Sequence, residues 1–481
     1  MDRHLGLAGA TALVVGQVIA VGIFLTPAAM ARLLGSPFWL LAVWLVAGAM
    51  ALCGTLVYGE LAARYPEAGG GYVYLREAWG PRIAFLYGWK CCLVMDPGIT
   101  AALATGLAAY LGYLVPLSPV GLKIAGITAI AIGAGVNIAG ARLGAGVIST
   151  LAVLKIGALA TIVVAGFGLG RGDWGHFVPF VAQHPGAAPL GGALAGAFIS
   201  AFFAFGGWWE AAKLTGEVRD PGRTMPRALT AGVAIVTVAY ILTSAAFLYL
   251  VPLDAVTSDE AFAAQAGEVL FGRAGGVVLA AIVLVSVAGS LFAIQMMLPR
   301  LYYAMSRDGL FPASLGRLHP TRGTPVRAIA LQAALASVLV ALGSFDAIVA
   351  YFIFVTVAFI GLTVVGLFRL RKRDATITKA RLVRRSAERE GGPHDLSAVA
   401  RSAKVEGTMP ESNREVAPVY LTPGFPMTAL IFLGLVVLLL VMLVVSRPLQ
   451  ALAGTAIVLL GLPVYALIER QRAGNRARPE A

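Results

Sequence analysis

Charge is scarce in this chain of 481 residues. Asp, Glu, Lys and Arg together make up 13% of it, against 59% hydrophobic residues. A soluble domain carries about 25% charged residues, so the shortage excludes a water-exposed globular protein over most of the length. The mean hydropathy of +0.83 agrees. Cysteine is nearly missing as well. Cys53, Cys91 and Cys92 all sit in apolar stretches and two are adjacent, which leaves no disulfide framework and no metal-ligand spacing. The five histidines form no metal pattern, and neither a P-loop nor a dinucleotide fingerprint is found, so no cofactor and no ATP-driven step is expected. No cleavable leader is evident, because Met1-Asp2-Arg3-His4 runs straight into an apolar stretch longer than a signal h-region.

What is present is a series of apolar segments, each near or above the ~20 residues that span a bilayer. Twelve are read, at roughly 7–31, 37–63, 82–113, 120–139, 145–170, 191–215, 226–251, 274–305, 326–343, 346–369, 425–446 and 448–469. Acidic residues number 24 and basic ones 37, a net charge of +13. That excess does not indicate nucleic acid, because its distribution is that of a membrane protein. With the N-terminus in the cytoplasm, the outer loops hold five Lys and Arg (Arg32, Lys123, Arg171, Arg273 and Arg447) and the inner loops and tails hold thirty. Positive charge is retained inside, so both termini are expected in the cytoplasm of an inner or plasma membrane protein. Contact with anionic lipid is a secondary expectation.

The chain divides accordingly. Residues 1–370 hold the first ten segments as a core and 424–470 carry the last two. Residues 371–423, rich in Arg, Glu, Ser and Pro, read as a flexible cytoplasmic loop, and 471–481 as a cytoplasmic tail.

Two segments are interrupted by glycine at matching places. The first carries Val15-Gly16-Gln17-Val18-Ile19-Ala20-Val21-Gly22-Ile23 with Pro27 beyond it. The sixth carries Phe202-Phe203-Ala204-Phe205-Gly206-Gly207-Trp208-Trp209-Glu210. Glycine lowers helix propensity and lets backbones approach closely. A broken helix in hydrocarbon leaves amides and carbonyls that something polar must satisfy, and paired breaks in corresponding positions point to a transporter's substrate site. If the first segment unwinds near Ala20–Gly22, the half-helix that follows presents free N–H groups and a positive dipole end to a carboxylate. Carbonyls freed in the sixth can accept from an ammonium group beside the aromatic faces. Ordinary glycine packing is the competing explanation for the first break alone.

Two ionisable residues stand out within the membrane. Glu210 lies just past the second break, where charge is costly enough to need a cavity or a partner. It can bind an amine, carry a proton, or pair with Lys213 at i+3. Lys155, in the middle of the fifth segment, must pair or donate to exposed carbonyls, and an ammonium there can stand where a sodium ion would. It is expected to bond the first break. Lys90 and Asp96 share no helix face and carry no assigned role, while Glu60 and Asp346 are expected at the interfaces.

Three stretches resemble the amino acid–polyamine–organocation permeases. They are Gly59-Glu60-Leu61 through Tyr65-Pro66-Glu67-Ala68-Gly69-Gly70-Gly71-Tyr72 to Trp79-Gly80, the run Glu217-Val218-Arg219-Asp220-Pro221-Gly222-Arg223-Thr224, and Arg300-Leu301-Tyr302-Tyr303-Ala304-Met305-Ser306-Arg307-Asp308-Gly309. The branch most similar is that of the bacterial relatives of the L-type amino-acid transporters. The resemblance implies an all-α, LeuT-like fold of twelve transmembrane helices, with the first five and next five as inverted repeats and helices 1 and 6 broken. It implies a substrate site at Ile19, Ala20, Val21, Gly22, Ile23, Phe203, Ala204, Phe205, Gly206 and Glu210, with Phe203 as a gating aromatic and Lys155 in the place of sodium. The chain departs from the family at Ala20-Val21-Gly22, where Gly-Ser-Gly or Gly-Thr-Gly is common, so a hydroxyl ligand is lost and a β-branched side chain intrudes.

The expected function is secondary transport of amino acids or related amines by alternating access, as an exchanger or with a proton, independent of sodium. The competing expectation is a transport-inactive sensor with the same pocket and the 371–423 loop as output. An enzyme is not expected, because no nucleophile–base pair assembles from Glu210, Lys155 and Asp96.

Overall fold

The computed structural model describes the chain except for residues 1–2, 4, 21, 68, 141–144, 257–261, 308, 391–419 and 477–481. Its long elements are helices throughout. In chain order they are α1 (Leu7–Val18), α2 (Gly22–Leu34), α3 (Pro37–Arg64), α4 (Gly71–Trp79), α5 (Pro81–Lys90), α6 (Asp96–Leu114), α7 (Pro119–Ile138), α8 (Ala145–Gly168), α9 (Leu190–Ala204), α10 (Trp208–Ala211), α11 (Pro221–Leu250), α12 (Phe262–Met297), α13 (Pro299–Arg307), α14 (Val326–Leu342), α15 (Phe345–Glu390), α16 (Met427–Ser446) and α17 (Pro448–Arg476).

Local chemistry explains where several of these begin and bend. Ser36 and Ser118 cap α3 and α7 by accepting from the Trp39 and Gly121 amides, each followed by a proline at the first helical position. Between α5 and α6, residues Cys91–Met95 widen into a π turn. Pro97 has no N–H to offer the Leu93 carbonyl, and its ring pushes that carbonyl away. The Tyr351 hydroxyl reaches Leu93 O at 3.4 Å.

Among the described residues, nine helical segments are long and apolar enough to cross a membrane. The pair α1–α2, bent by 46° at its break, makes a tenth. The apolar parts of α8 and α14, Val153–Gly168 and Val326–Leu342, are shorter. The expected flexible loop at 371–423 is corrected at its start: α15 continues as helix to Glu390. Its Arg371, Arg373 and Asp374 pack against the body of the protein, and residues 391–419 lie outside the described region.

Two packing relationships position the centre of the molecule. The halves of the two broken helices are exchanged partners, α1 lying on α10 and α2 on α9. Around them α3 packs along α11, and α6 packs on α12, α14 and α15. The N-terminal strand residue Leu5 is bound to the segment after α10 through Leu5 N to Glu217 O (3.1 Å) and Arg219 N to Leu5 O (2.9 Å).

Candidate functional site

The first break follows directly from the residues between α1 and α2. Ile19 N still bonds Val15 O at 2.8 Å, but Ala20 N folds back to Val18 O at 2.8 Å and helix resumes only at Gly22. The second break is the turn Phe205–Gly207, in which Gly206 N bonds Phe203 O at 2.9 Å and Gly207 takes φ +118. That backbone region favours glycine.

The two breaks touch through their glycines. A Cβ on Gly22 would lie 2.5 Å from Ala204 Cα, and one on Gly207 would lie 2.7 Å from Gln17 O. Neither approach leaves room for a side chain. The hydroxyl of Tyr240, from the middle of α11, stands 3.0 Å from Val18 O and 3.0 Å from Ala204 O. It supplies a donor to carbonyls that the breaks have freed, in a place where no water-filled loop could do so.

Below this junction lies a cavity of about 70 Å³. On one side it is bordered by the residues of the two breaks, Gln17, Val18, Ala20, Gly22, Ala204, Gly206, Gly207, Trp209 and Glu210. Its other side is apolar: Met95, Ile99 and Leu103 from the third span, Ile294, Met297 and Leu298 around the end of α12, and Phe352 and Ile353 from α15. Phe203 covers one end, with its ring edge-on to Phe345 at 5.5 Å and to Phe352 at 6.0 Å. On the far side of Phe203 the space widens. A 240 Å³ cavity bordered by Phe203, Phe345 and Asp346 adjoins one of 660 Å³ that includes Arg32, His184 and Asp346. A route therefore leads from the face opposite the N-terminus down to Phe203.

Of the residues singled out in the sequence, Ala20, Gly22, Phe203, Ala204, Gly206 and Glu210 surround the cavity. Ile19, Ile23 and Phe205 do not; they are buried in packing, and Phe205 faces Trp44 and Tyr240. Val21 lies outside the described residues. The expected bond between Lys155 and the first break is corrected. Its ammonium donates instead to Ser290 Oγ on α12 at 2.6 Å, and Ser290 in turn donates to Ser286 O at 3.1 Å.

Glu210 is 6% exposed and ion-paired with Lys213 one turn along, while its Oε1 has no hydrogen-bond partner. Asp96 accepts from the Tyr302 hydroxyl at 2.6 Å, and the Lys90 ammonium contacts Met95 Sδ at 2.9 Å and lies over the Tyr87 ring. Asp346 faces Arg447 at 3.8 Å. Glu60 is not at an interface with solvent. Its fully buried carboxylate accepts from Arg64 (2.8 Å), Arg371 (2.5 Å) and both the amide (2.8 Å) and hydroxyl (2.7 Å) of Thr422. Among the described residues no three His, Cys, Asp or Glu side chains converge as a metal site.

Gly207 and Trp209, read in the sequence as part of the second break, also border the cavity, while sequence reasoning missed Gln17 and the whole apolar wall. The eighth and tenth spans are apolar on nearly every face, and the two charges of the third, Lys90 and Asp96, share no face, so periodicity does not disclose which side these spans turn inward. Tyr240 was also missed, although a tyrosine at membrane depth with a hydroxyl to satisfy is a readable signal.

Comparison with known proteins supplies the context for this geometry. The sequence profile of the amino acid permease family matches residues 5–468. The serine/threonine exchanger SteT of Bacillus subtilis is 31% identical over 78% of this chain and 84% of its own length. The human large neutral amino acids transporter small subunit 2 is 28% identical over 97% of this chain and 80% of its own. The mouse Asc-type amino acid transporter 1 is 27% identical over 78% and 71%. On these matches, and with its apolar spans, the chain is an integral membrane protein that belongs to the amino acid permease family, within the amino acid–polyamine–organocation superfamily.

Proposed function

We propose that the protein is a sodium-independent amino acid exchanger that works by alternating access, with one neutral amino acid held between the two helix breaks. The single observation that carries this reading is the cavity itself, bordered by both helix breaks on one side and by apolar side chains on the other. The side of the breaks suits the invariant part of an amino acid. The N–H groups that open α2 suit the α-carboxylate, and carbonyls at the ends of α1 and α9 suit the ammonium. Its apolar side gives a charged substrate side chain no partner. Glu210, the one carboxylate lining the cavity, is engaged by Lys213, which favours a neutral substrate over a cationic one.

The same reading takes the chain as twelve crossings with both termini in the cytoplasm. The first five and next five are inverted repeats. The reciprocal pairing of α1 with α10 and α2 with α9 supports that symmetry. Phe203 is then the gate between the cavity and an outer vestibule, and Lys155 is a fixed cation at Ser290 that makes sodium unnecessary. The exchanger and transporter names of the relatives support the choice of substrate class.

The test is counterflow in proteoliposomes of the purified protein. Vesicles loaded with unlabelled serine or leucine should accumulate the labelled amino acid from outside, equally in sodium and in choline media. Accumulation that needs sodium, or that proceeds equally into empty vesicles, contradicts the proposal.

A further inference from the structure

A smaller cavity of about 110 Å³ lies away from the substrate route, where α7, the α12–α13 junction and the loop before α14 meet. Asn137, Met296, Arg300, Arg322 and Thr324 border it. By the alternation of the spans this is the membrane face that carries the N-terminus. Its walls are tied together. Asn137 Nδ2 donates to Gly133 O (2.9 Å) on its own helix and to Phe292 O (3.1 Å) on α12. Thr324 Oγ1 donates to Ile138 O at 3.2 Å, and the loop closes on itself through His319 N to Thr324 O (2.8 Å).

The charge of this site is one-sided. Arg300 and Arg322 are exposed, and among the described residues they make no side-chain hydrogen bond or ion pair and no carboxylate borders the cavity. From Arg300 to Arg327 the sequence holds five arginines and a single acidic residue, Asp308. On α7, Ile132, a little over one turn before Asn137, is an exposed apolar side chain. A phosphate-sized basic recess close to a hydrocarbon-facing side chain matches the two ends of a lipid.

We propose that this cavity binds the phosphate of an anionic membrane phospholipid, held by Arg300 and Arg322, with its acyl chains passing Ile132 on α7. Guanidinium groups match phosphate oxygens in pairs. A zwitterionic lipid brings its own ammonium against them and is disfavoured. Basic pockets between membrane helices at a headgroup layer recognise anionic lipids in this manner. The bound lipid would brace α7 against the α12–α13 junction.

The test uses the full chain in nanodiscs of equal phosphatidylcholine and phosphatidylglycerol, with retained lipid counted by native mass spectrometry. The wild type should retain phosphatidylglycerol preferentially. Arg322→Gln alone should lower that retention about five-fold, and Arg300→Gln with Arg322→Gln roughly 25-fold. Arg82→Gln, an exposed arginine away from the cavity, should change nothing, and excess inorganic phosphate should not displace the lipid. Wild-type retention by the Arg322→Gln variant overturns the proposal. Displacement by inorganic phosphate alone also overturns it, because the site would then be one for a free anion. Since Arg322 lies on an exposed loop, the single variant decides the matter even if the double variant does not fold.

Discussion

The carbonyls of Val18 and Ala204, one from each broken helix, share a single hydroxyl donor, Tyr240, at 3.0 Å each. A tyrosine has one proton to give, so it serves one carbonyl fully at a time and leaves the other available to an incoming ammonium. Both residues line the cavity. Tyr240→Phe keeps the ring packing against Trp44 and Phe205 and removes only the donor. The expected result is a raised KM for uptake and a stability loss of about 1–3 kcal/mol from the stranded Ala204 carbonyl, since Val18 O keeps the Ala20 amide. Uptake kinetics and thermal unfolding together check it; unchanged KM with unchanged stability contradicts it.

The glycine contacts make a second prediction. Gly22→Ala forces Cβ against Ala204, and Gly207→Ala combines a clash at Gln17 O with an unfavourable positive φ. Overpacking of this kind costs about 1–3 kcal/mol, and Gly207→Ala carries roughly 1–2 kcal/mol more for its backbone. Both variants should lose transport, with the lower melting temperature in Gly207→Ala. Full activity in either would mean that the breaks are not in contact.

Glu210 and Lys213 are separable by a double-mutant cycle. Glu210→Gln strands a largely buried ammonium and should destabilise the protein by about 3–5 kcal/mol. Adding Lys213→Met should recover most of that loss. Under the neutral-substrate reading the double variant still binds its amino acid, with the same pH dependence as wild type. A double variant that folds but has lost binding would make Glu210 a substrate ligand instead.

Lys155 tests sodium independence. Its ammonium holds Ser290, which bonds Ser286 O on the same helix. Lys155→Met should abolish uptake with the fold retained, while Ser290→Ala should leave uptake reduced and still insensitive to sodium. Uptake measured in sodium and choline media reads both outcomes. Wild-type rates in Lys155→Met would remove the cation from the account.

Much of this architecture is readable from residues in order. The breaks follow from Gly22, Gly206 and Gly207, and the π turn follows from Pro97 once the Leu93 carbonyl is considered. Other features arise from contacts between distant residues. Glu60 is joined to Arg371 and Thr422 across more than 300 residues, and no local pattern foretells that a buried carboxylate will gather them. The same contacts explain why α15 is helical past residue 371, where composition suggested a loop: Arg371 and Asp374 are fixed by Glu60 and Arg64. The wall formed by Ile99, Met297 and Phe352 was illegible because periodicity marks no inward face on those spans. Ile23 and Phe205 adjoin the breaks in sequence and still turn into the packing.

The central claim is that an amino acid occupies the space between the two breaks. Ile99→Trp fills that 70 Å³ cavity from its apolar wall, at a distance in sequence from both breaks. The direct measurement is equilibrium binding of labelled serine and leucine to the purified variant, alongside its melting temperature. The account predicts a folded protein with no saturable binding of either; wild-type affinity in the folded variant would contradict it.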